Sequence, residues 1–302
     1  MPNYYVKHRT TYRYRSKVSL GPHLLTLLPR TTEDQTVRFH RLNTDPPAQI
    51  SWTQDVFGNS VATAEFQGAT EHLEIVSEAS VNLTRSEFPI LSISAAAIDY
   101  PFLYSKDEWI DLGALTQPQY HDPFGVLSRW VASFVADHPT DTLSLLKDLN
   151  FGIFDLFSYQ SRDAEGTQSP TETIQRGWGS CRDFSVLLAE AARVLGLGAR
   201  IVSGYLSEPA GAPTGQFEPG STHAWVDIYL PGAGWVSFDP ANRSFGGSNL
   251  IPVAIGRNIH QLAPVSGSFS GPSDALANLS VQVSVLKSDG PIHGASSGMT
   301  SY

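Results

Sequence analysis

Cysteine is nearly absent: Cys181 is the only one among 302 residues. A single thiol cannot form an internal disulfide, a Cys-x-x-Cys redox pair or a cysteine-based zinc site, so cohesion must come from packing. Charged residues are also sparse, at 16%. No apolar run approaches the ~20 residues a bilayer span requires. No block of five or more Lys or Arg occurs, which argues against a membrane-surface helix. The formal net charge is −9, of which −8 falls beyond residue 100. An acidic body repels phosphate backbones, so neither nucleic acid nor a membrane is an expected partner. The start, Met1-Pro2-Asn3-Tyr4, has no basic segment followed by an apolar one, and the expected location is the cytoplasm. There is no EF-hand, P-loop or His-rich cluster, and His8, His23 and His121 lack a paired metal-ligand spacing, so no cofactor and no metal are expected.

What is present suits a sheet-rich globular protein of about two domains: 41% hydrophobic residues, 11% aromatics, 25 Gly and 20 Pro. Tyr5–His8, Thr11–Tyr14, Thr36–Phe39, Val61–Phe66 and Leu73–Val76 are β-rich, with turn signals at Gly21-Pro22, Pro46-Pro47 and Phe57-Gly58-Asn59. Residues 1–95 are therefore expected to form a β-sandwich. After Tyr100-Pro101 the period changes. Helices are expected from Phe124 to about Ala136 and from Asp141, a candidate cap, to about Phe157. A polar loop follows at Ser161–Ser169, then a stronger helix from Ser180, and strands near Ile201–Leu206, His223–Leu230, Trp235–Asp239 and Leu279–Leu286. Helices followed by strands without βαβ alternation make residues 96–302 an α+β core with a C-terminal strand.

The chemistry gathers at the one thiol. Phe184, Leu187, Leu188, Ala191, Ala192 and Leu195 form an apolar stripe at the helical period, with Ser180 as N-cap and Gly196 or Gly198 as stop. Cys181 lies in the first turn, in register with that stripe. The helix dipole and the unpaired N–H groups there favour a thiolate and can receive an oxyanion. A lone cysteine on a helix is also ordinary core filler. Downstream, His223-Ala-Trp225-Val-Asp227-Ile-Tyr229-Leu alternates, so His223 leaves the sheet opposite Ala224, Val226 and Ile228. Trp235-Val-Ser-Phe-Asp239 follows through Pro231-Gly232-Ala233-Gly234. A hairpin centred on Pro231 would set Asp239 directly opposite His223. A centre between Gly232 and Ala233 would oppose it to Val226 and spoil the pair. Cysteine, histidine and carboxylate in this order read as nucleophile, base and orienter.

These residues resemble the bacterial transglutaminase-like proteins of the papain-type thiol superfamily. The matching stretches are Thr171–Leu188, Ala199–Leu206, His223–Trp235, Phe238–Asn242 and Ala254–Arg257. In the N-terminal part, His8–Tyr14, Pro22–Arg30 and Asp55–Asn59 look like the β-rich domain that commonly precedes this core. The resemblance implies a papain-like core with Cys181 as nucleophile, His223 as base and Asp239 as orienter. Ala241 departs from it, standing where the family usually shows Thr.

Other candidates are weaker. Tyr159 and Gln175 compete as side-chain oxyanion donor, with Tyr159 preferred; Trp178 and Trp225 are cleft candidates, Trp235 less so. Asp227 shares the face of His223, but four residues along a strand is ~13 Å, too far for contact. Gly294-Ala-Ser296-Ser-Gly298 matches a nucleophile elbow without the strand and helix it needs. The expected activity is cysteine-dependent acyl transfer on peptide or side-chain amides through a thioester on Cys181, with hydrolysis by a protease or amidase favoured over transamidation. The alternative is a non-catalytic peptide-binding module that keeps the cleft. Oligomeric state is not legible.

Overall fold

In the computed structural model, which describes residues 3–86, 89–135, 137, 139–161, 166–207 and 222–288, the alternating N-terminal segments become long strands. These are β1 (Asn3–Leu20), β2 (His23–Leu25), β3 (Gln35–Asp45), β4 (Gln49–Gln54), β5 (Ser60–Glu65) and β6 (Ala69–Leu83). The two segments Tyr5–His8 and Thr11–Tyr14 are one strand. Alternation carries straight through Thr10, so Val6, His8 and Thr10 all turn inward. β1 pairs antiparallel with β6, and β6 with β3; β2, β5 and β4 form a second sheet. Tyr14, Val18, Leu20, Leu25, Leu27, Ala62, Ala64, Leu73 and Ile75 fill the space between the sheets, which makes this region the expected sandwich.

Among the described residues, the middle of the chain supplies short ribbons and five α-helices: β7 (Asp99–Tyr100), α1 (Lys106–Leu112), α2 (Val126–Ala132), β8 (Thr140–Asp141), α3 (Thr142–Leu156), β9 (Ser158–Tyr159), α4 (Pro170–Arg176), β10 (Trp178–Gly179) and α5 (Cys181–Val194). Asp141 caps α3 as expected, its carboxylate accepting from Ser144 N at 2.7 Å. The helix expected from Phe124 starts later, because Gly125 is left-handed (φ 63°) and the chain enters α2 only after it. α1 and α4 went unanticipated. Each has only seven residues, too few to display a period, and each is begun by a reciprocal cap, Ser105 with Glu108 and Ser169 with Glu172.

Beyond α5 come β11 (Ala199–Leu206), β12 (His223–Leu230), β13 (Gly234–Asp239), β14 (Ser244–Phe245) and β15 (Leu250–Gly256), an antiparallel sheet in the order β14-β13-β12-β11-β15. The apolar stripe of α5 packs on one face with Ala224, Val226 and Ile228. Elsewhere on this sheet Tyr205, Ile251 and Val253 meet Val6, Val81, Leu83 and Val283 of the sandwich. The last described strands are β16 (Val265–Ser266), β17 (Phe269–Ser270) and β18 (Leu276–Ser288), which return to β2, β1 and β1. The strand expected near Leu279–Leu286 thus pairs with the N-terminal sheet, from Tyr14↔Leu276 to Asn3↔Ser288. No helix among the described residues is long and apolar enough to cross a membrane. The Gly294–Gly298 elbow match lies outside the described residues.

α5 is secured by a buried ion pair. Arg193 Nη1 donates to Glu190 Oε1 at 2.6 Å, and the second guanidinium nitrogen donates to the carbonyls of Ala199 and Arg257, both at 2.8 Å. Glu190 Oε2 accepts from the backbone of Gln119 and Tyr120. Removing one partner leaves the other charge buried and uncompensated. Arg193→Met should therefore destabilise by about 3–5 kcal/mol in urea melts, and by more than a substitution of an exposed arginine such as Arg176.

A second test uses His8, buried where the two regions meet, with Nδ1 3.1 Å from the Tyr205 hydroxyl and Nε2 3.0 Å from Thr10 Oγ1. Burial pushes its pKa down to about 4. Between the ordinary value near 6.5 and about 4, the unfolded chain binds a proton that the folded chain refuses, so stability falls as pH drops through that window. The full loss is roughly 3 kcal/mol. Urea midpoints measured from pH 7 to 4 should show it, and His8→Gln should flatten the decline.

Candidate active site

Cys181 opens α5, so its backbone N–H has no acceptor within the helix. The turn before it is held by Asp183. Oδ2 accepts from Ser180 N (2.8 Å) and Ser180 Oγ (2.9 Å), and Oδ1 accepts from Gln168 N (2.7 Å). Gly179 is required there: a Cβ would lie 2.9 Å from Asp183 Cβ and 3.0 Å from the Phe184 ring. Parallel pairing of β10 with β9 sets Tyr159 level with Gly179, its ring 6.2 Å from that of Phe184.

The histidine and carboxylate come from the β12–β13 hairpin. Its ladder pairs Val226 with Phe238 and Leu230 with Gly234, so the turn is centred on Gly232 (φ 83°). A side chain at Gly232 would strike the backbone of Ser92 and Ser94. This is neither of the two registers considered from sequence. Asp239 falls level with Trp225, not His223, and reaches the imidazole diagonally. The two-residue offset preserves parity, so His223 and Asp239 still share a face.

His223 Nε2 donates to Asp239 Oδ2 at 2.9 Å. The same oxygen accepts from Asn242 Nδ2 at 2.8 Å, and Oδ1 accepts from Ala241 N at 3.1 Å. The departure at Ala241 has no consequence here, because the residue contributes only its backbone N–H. With Nε2 occupied, Nδ1 is the nitrogen left for the sulfur of Cys181, which lies in hydrogen-bond reach of the ring. Burial pushes the imidazole toward its neutral form. The Asp239 carboxylate and the Cys181 sulfur outweigh that, holding the pKa up to about 10.

The remaining candidates separate. Asp227 serves elsewhere, accepting from Arg200 at 3.0 Å and from Ser237 Oγ at 2.7 Å. Gln175 is exposed on α4, and no described contact brings it to Cys181. Trp178 is half-buried under the Arg176 guanidinium (5.9 Å), and Trp235 packs against Tyr229 and Arg200 at the far end of β13. Trp225 is buried with its ring 6.1 Å from the imidazole. Sequence reasoning missed Asn242. The signal available was its place in Asp239-Pro240-Ala241-Asn242, where an Asp folds the turn back on its own carboxylate.

Residues 4–82 match the bacterial transglutaminase-like N-terminal region, and residues 128–240 match the transglutaminase-like superfamily. An uncharacterized protein of Mycobacterium tuberculosis is 28% identical, over 95% of this chain and 94% of its own. One of Mycobacterium leprae is 25% identical, over 93% and 98%. A solved Cytophaga hutchinsonii protein, described as a candidate cysteine protease, superposes with a TM-score of 0.69 over 96% of this chain and 92% of its own, at 19% identity, which speaks for the fold alone. The chain thus matches, in order, the bacterial transglutaminase-like N-terminal region and a transglutaminase-like superfamily core.

Proposed function

We propose that this chain is a cysteine-dependent acyl-transfer enzyme acting on peptide or side-chain amides. The observation that carries this reading is the imidazole of His223, set between a fully buried carboxylate and the sole thiol of the chain. In this reading Cys181 is the nucleophile, His223 the acid–base group and Asp239 its orienter. The sulfur attacks the amide carbonyl, and the carbonyl oxygen, carrying the negative charge, faces the Cys181 backbone N–H. Tyr159, level with Gly179, is the side-chain donor we favour there. His223 Nδ1 then gives its proton to the departing amine, the C–N bond breaks and a thioester remains. Water resolves the thioester in the same geometry, with His223 taking its proton; hydrolysis is favoured because water needs no dedicated amine site. The lone unbridged thiol suits the cytoplasm, where thiols stay reduced. The acidic charge balance supports a protein or peptide partner over nucleic acid or membrane.

Cys181 is the only thiol, so alkylation by iodoacetamide reports on it alone. With His223 protonated up to about pH 10, the charged partner persists across the neutral range. Rapid alkylation at pH 6 is the expected outcome, and His223→Ala should slow it on the order of a hundredfold, toward the rate of an ordinary thiol. Asp239→Ala should slow it less, and Asp227→Asn should leave it unchanged. Equal rates in wild type and His223→Ala would sink the catalytic reading and favour a peptide-binding module.

The choice between hydrolysis and transfer has its own measurement. A glutamine-containing peptide incubated with a primary-amine probe should yield the free acid and ammonia or a cleaved peptide, with little probe incorporated. Brief incubation and acid quench should trap the acyl group on Cys181 by mass spectrometry. Dominant amine incorporation would reverse the preference.

A further inference from the structure

The residues around His223 lead back to the N-terminal region. Trp225 lies on the same face as His223, with ring planes 24° apart, and so walls one side of the imidazole. Its own place is cut to shape. Gly204 is the β11 partner of His223, and a Cβ there would strike first the Ile251 carbonyl oxygen (2.1 Å) and then Trp225 Cη2 (2.8 Å). The Trp225 ring packs in a buried cluster with Val202, Leu206, Leu250 and Ile255. One residue from outside the core closes that cluster: Phe57, in the loop Asp55–Asn59 between β4 and β5.

That loop is held far more tightly than a connecting loop requires. Asp55 Oδ1 accepts from the backbone of Phe57 (2.9 Å) and Asn59 (2.8 Å). The Asn59 side chain is buried. It donates to Asp55 Oδ2 and to the Ile255 carbonyl, both at 2.7 Å, while Oδ1 accepts from Ile255 N (2.9 Å) and Arg30 Nη1 (2.6 Å). An amide side chain thus replaces a strand along β15, gripping the residue that packs beside Trp225. Only Phe57 is turned to that cluster; its neighbour Val56 is 94% exposed.

We propose that the N-terminal region is a working part of the active site: Phe57, set by Asp55 and Asn59, is a positioning residue that acts through Trp225 to hold His223 in line with Asp239 and Cys181. The proposal rests on the acyl-transfer reading. It assigns the Asp55–Asn59 motif a task in catalysis, beyond cohesion of two regions that His8, Tyr205 and the apolar interface already join.

The test is the pH dependence of Cys181 alkylation in the full chain, followed with thermal melts. Wild type and His223→Ala define the His223-dependent rate. Phe57→Ala should lose about tenfold in rate at pH 6, as small displacements of a reacting group do, and converge on wild type at pH 9, where thiolate forms without a partner. Phe57→Tyr, which keeps the ring, should recover most of the loss, and Val56→Ala should show none. His8→Gln is the control for a weakened interface; it should lower the melting temperature without altering the profile. If Phe57→Ala fails to fold, Phe57→Leu carries the same expectation at smaller amplitude. A destabilised Phe57→Ala or Phe57→Leu whose pH profile overlays wild type would overturn the proposal. A wild-type profile indifferent to His223→Ala would overturn it too, by removing the reading beneath it.

Discussion

Asp239 has no exposed surface, and a carboxylate removed from water must be matched by donors or neutralised. Three donors converge on it, from His223, Asn242 and Ala241. Much of the local structure serves that convergence. The three-residue β12–β13 turn needs Gly232 so that the register keeps Asp239 on the histidine's face. The next turn brings Ala241 N and the Asn242 amide to the carboxylate within three residues and closes with Arg243 in the left-handed region (φ 52°). A one-residue slip in the first turn would place the carboxylate on the side of Val226, among the apolar residues beneath α5, at a cost of several kcal/mol.

The candidate site was legible where one residue carries the signal by its type and place. Cys181 stood out because it is alone and begins an apolar stripe at the helical period, and α5 forms over Cys181–Val194. His223 and Asp239 could be assigned to one face because strand parity depends only on counting. The register could not, because the sequence Pro231-Gly232-Ala233-Gly234 permits turns with different centres, and what decides among them is the backbone of Ser92 and Ser94 against Gly232, contacts some 140 residues distant in sequence. Gly204 is fixed in the same way: the need for glycine becomes visible only once the Ile251 carbonyl of β15 and the Trp225 indole are in place against it.

The fold divides along a similar line. The strands of the sandwich were marked by alternation, except where β2 is too short and β4 too polar to show it. The attachment of β18 to β1 was invisible, since neither strand records its partner; only the buried contacts of Val283 and Val285 with Val6 and Tyr205 reveal it. The Asp55–Asn59 motif was conspicuous and uninterpretable for one reason. Its side chains bond to Arg30 and Ile255, which are remote in sequence, so its turn character was readable and its purpose was not.

The charges around Cys181 rank the forces that can hold a thiolate there. From sequence, the α5 dipole and a protonated His223 both favour it. A helix N-terminus carries roughly half an elementary positive charge. Asp183 sets a carboxylate within hydrogen-bond distance of Ser180 N in that same turn, so the bare dipole is largely offset by a nearby negative charge. That carboxylate is itself consumed by three donors and is needed to fix the turn, so it cannot be dispensed with. The positive charge that can face the sulfur is that of His223: burial pushes its imidazole toward the neutral form, and the Asp239 carboxylate bonded to it favours the charged one. In the acyl-transfer reading, control of the thiol would therefore pass from the helix to the hairpin, and the Trp225 ring beside the imidazole is the first neighbour placed to influence it.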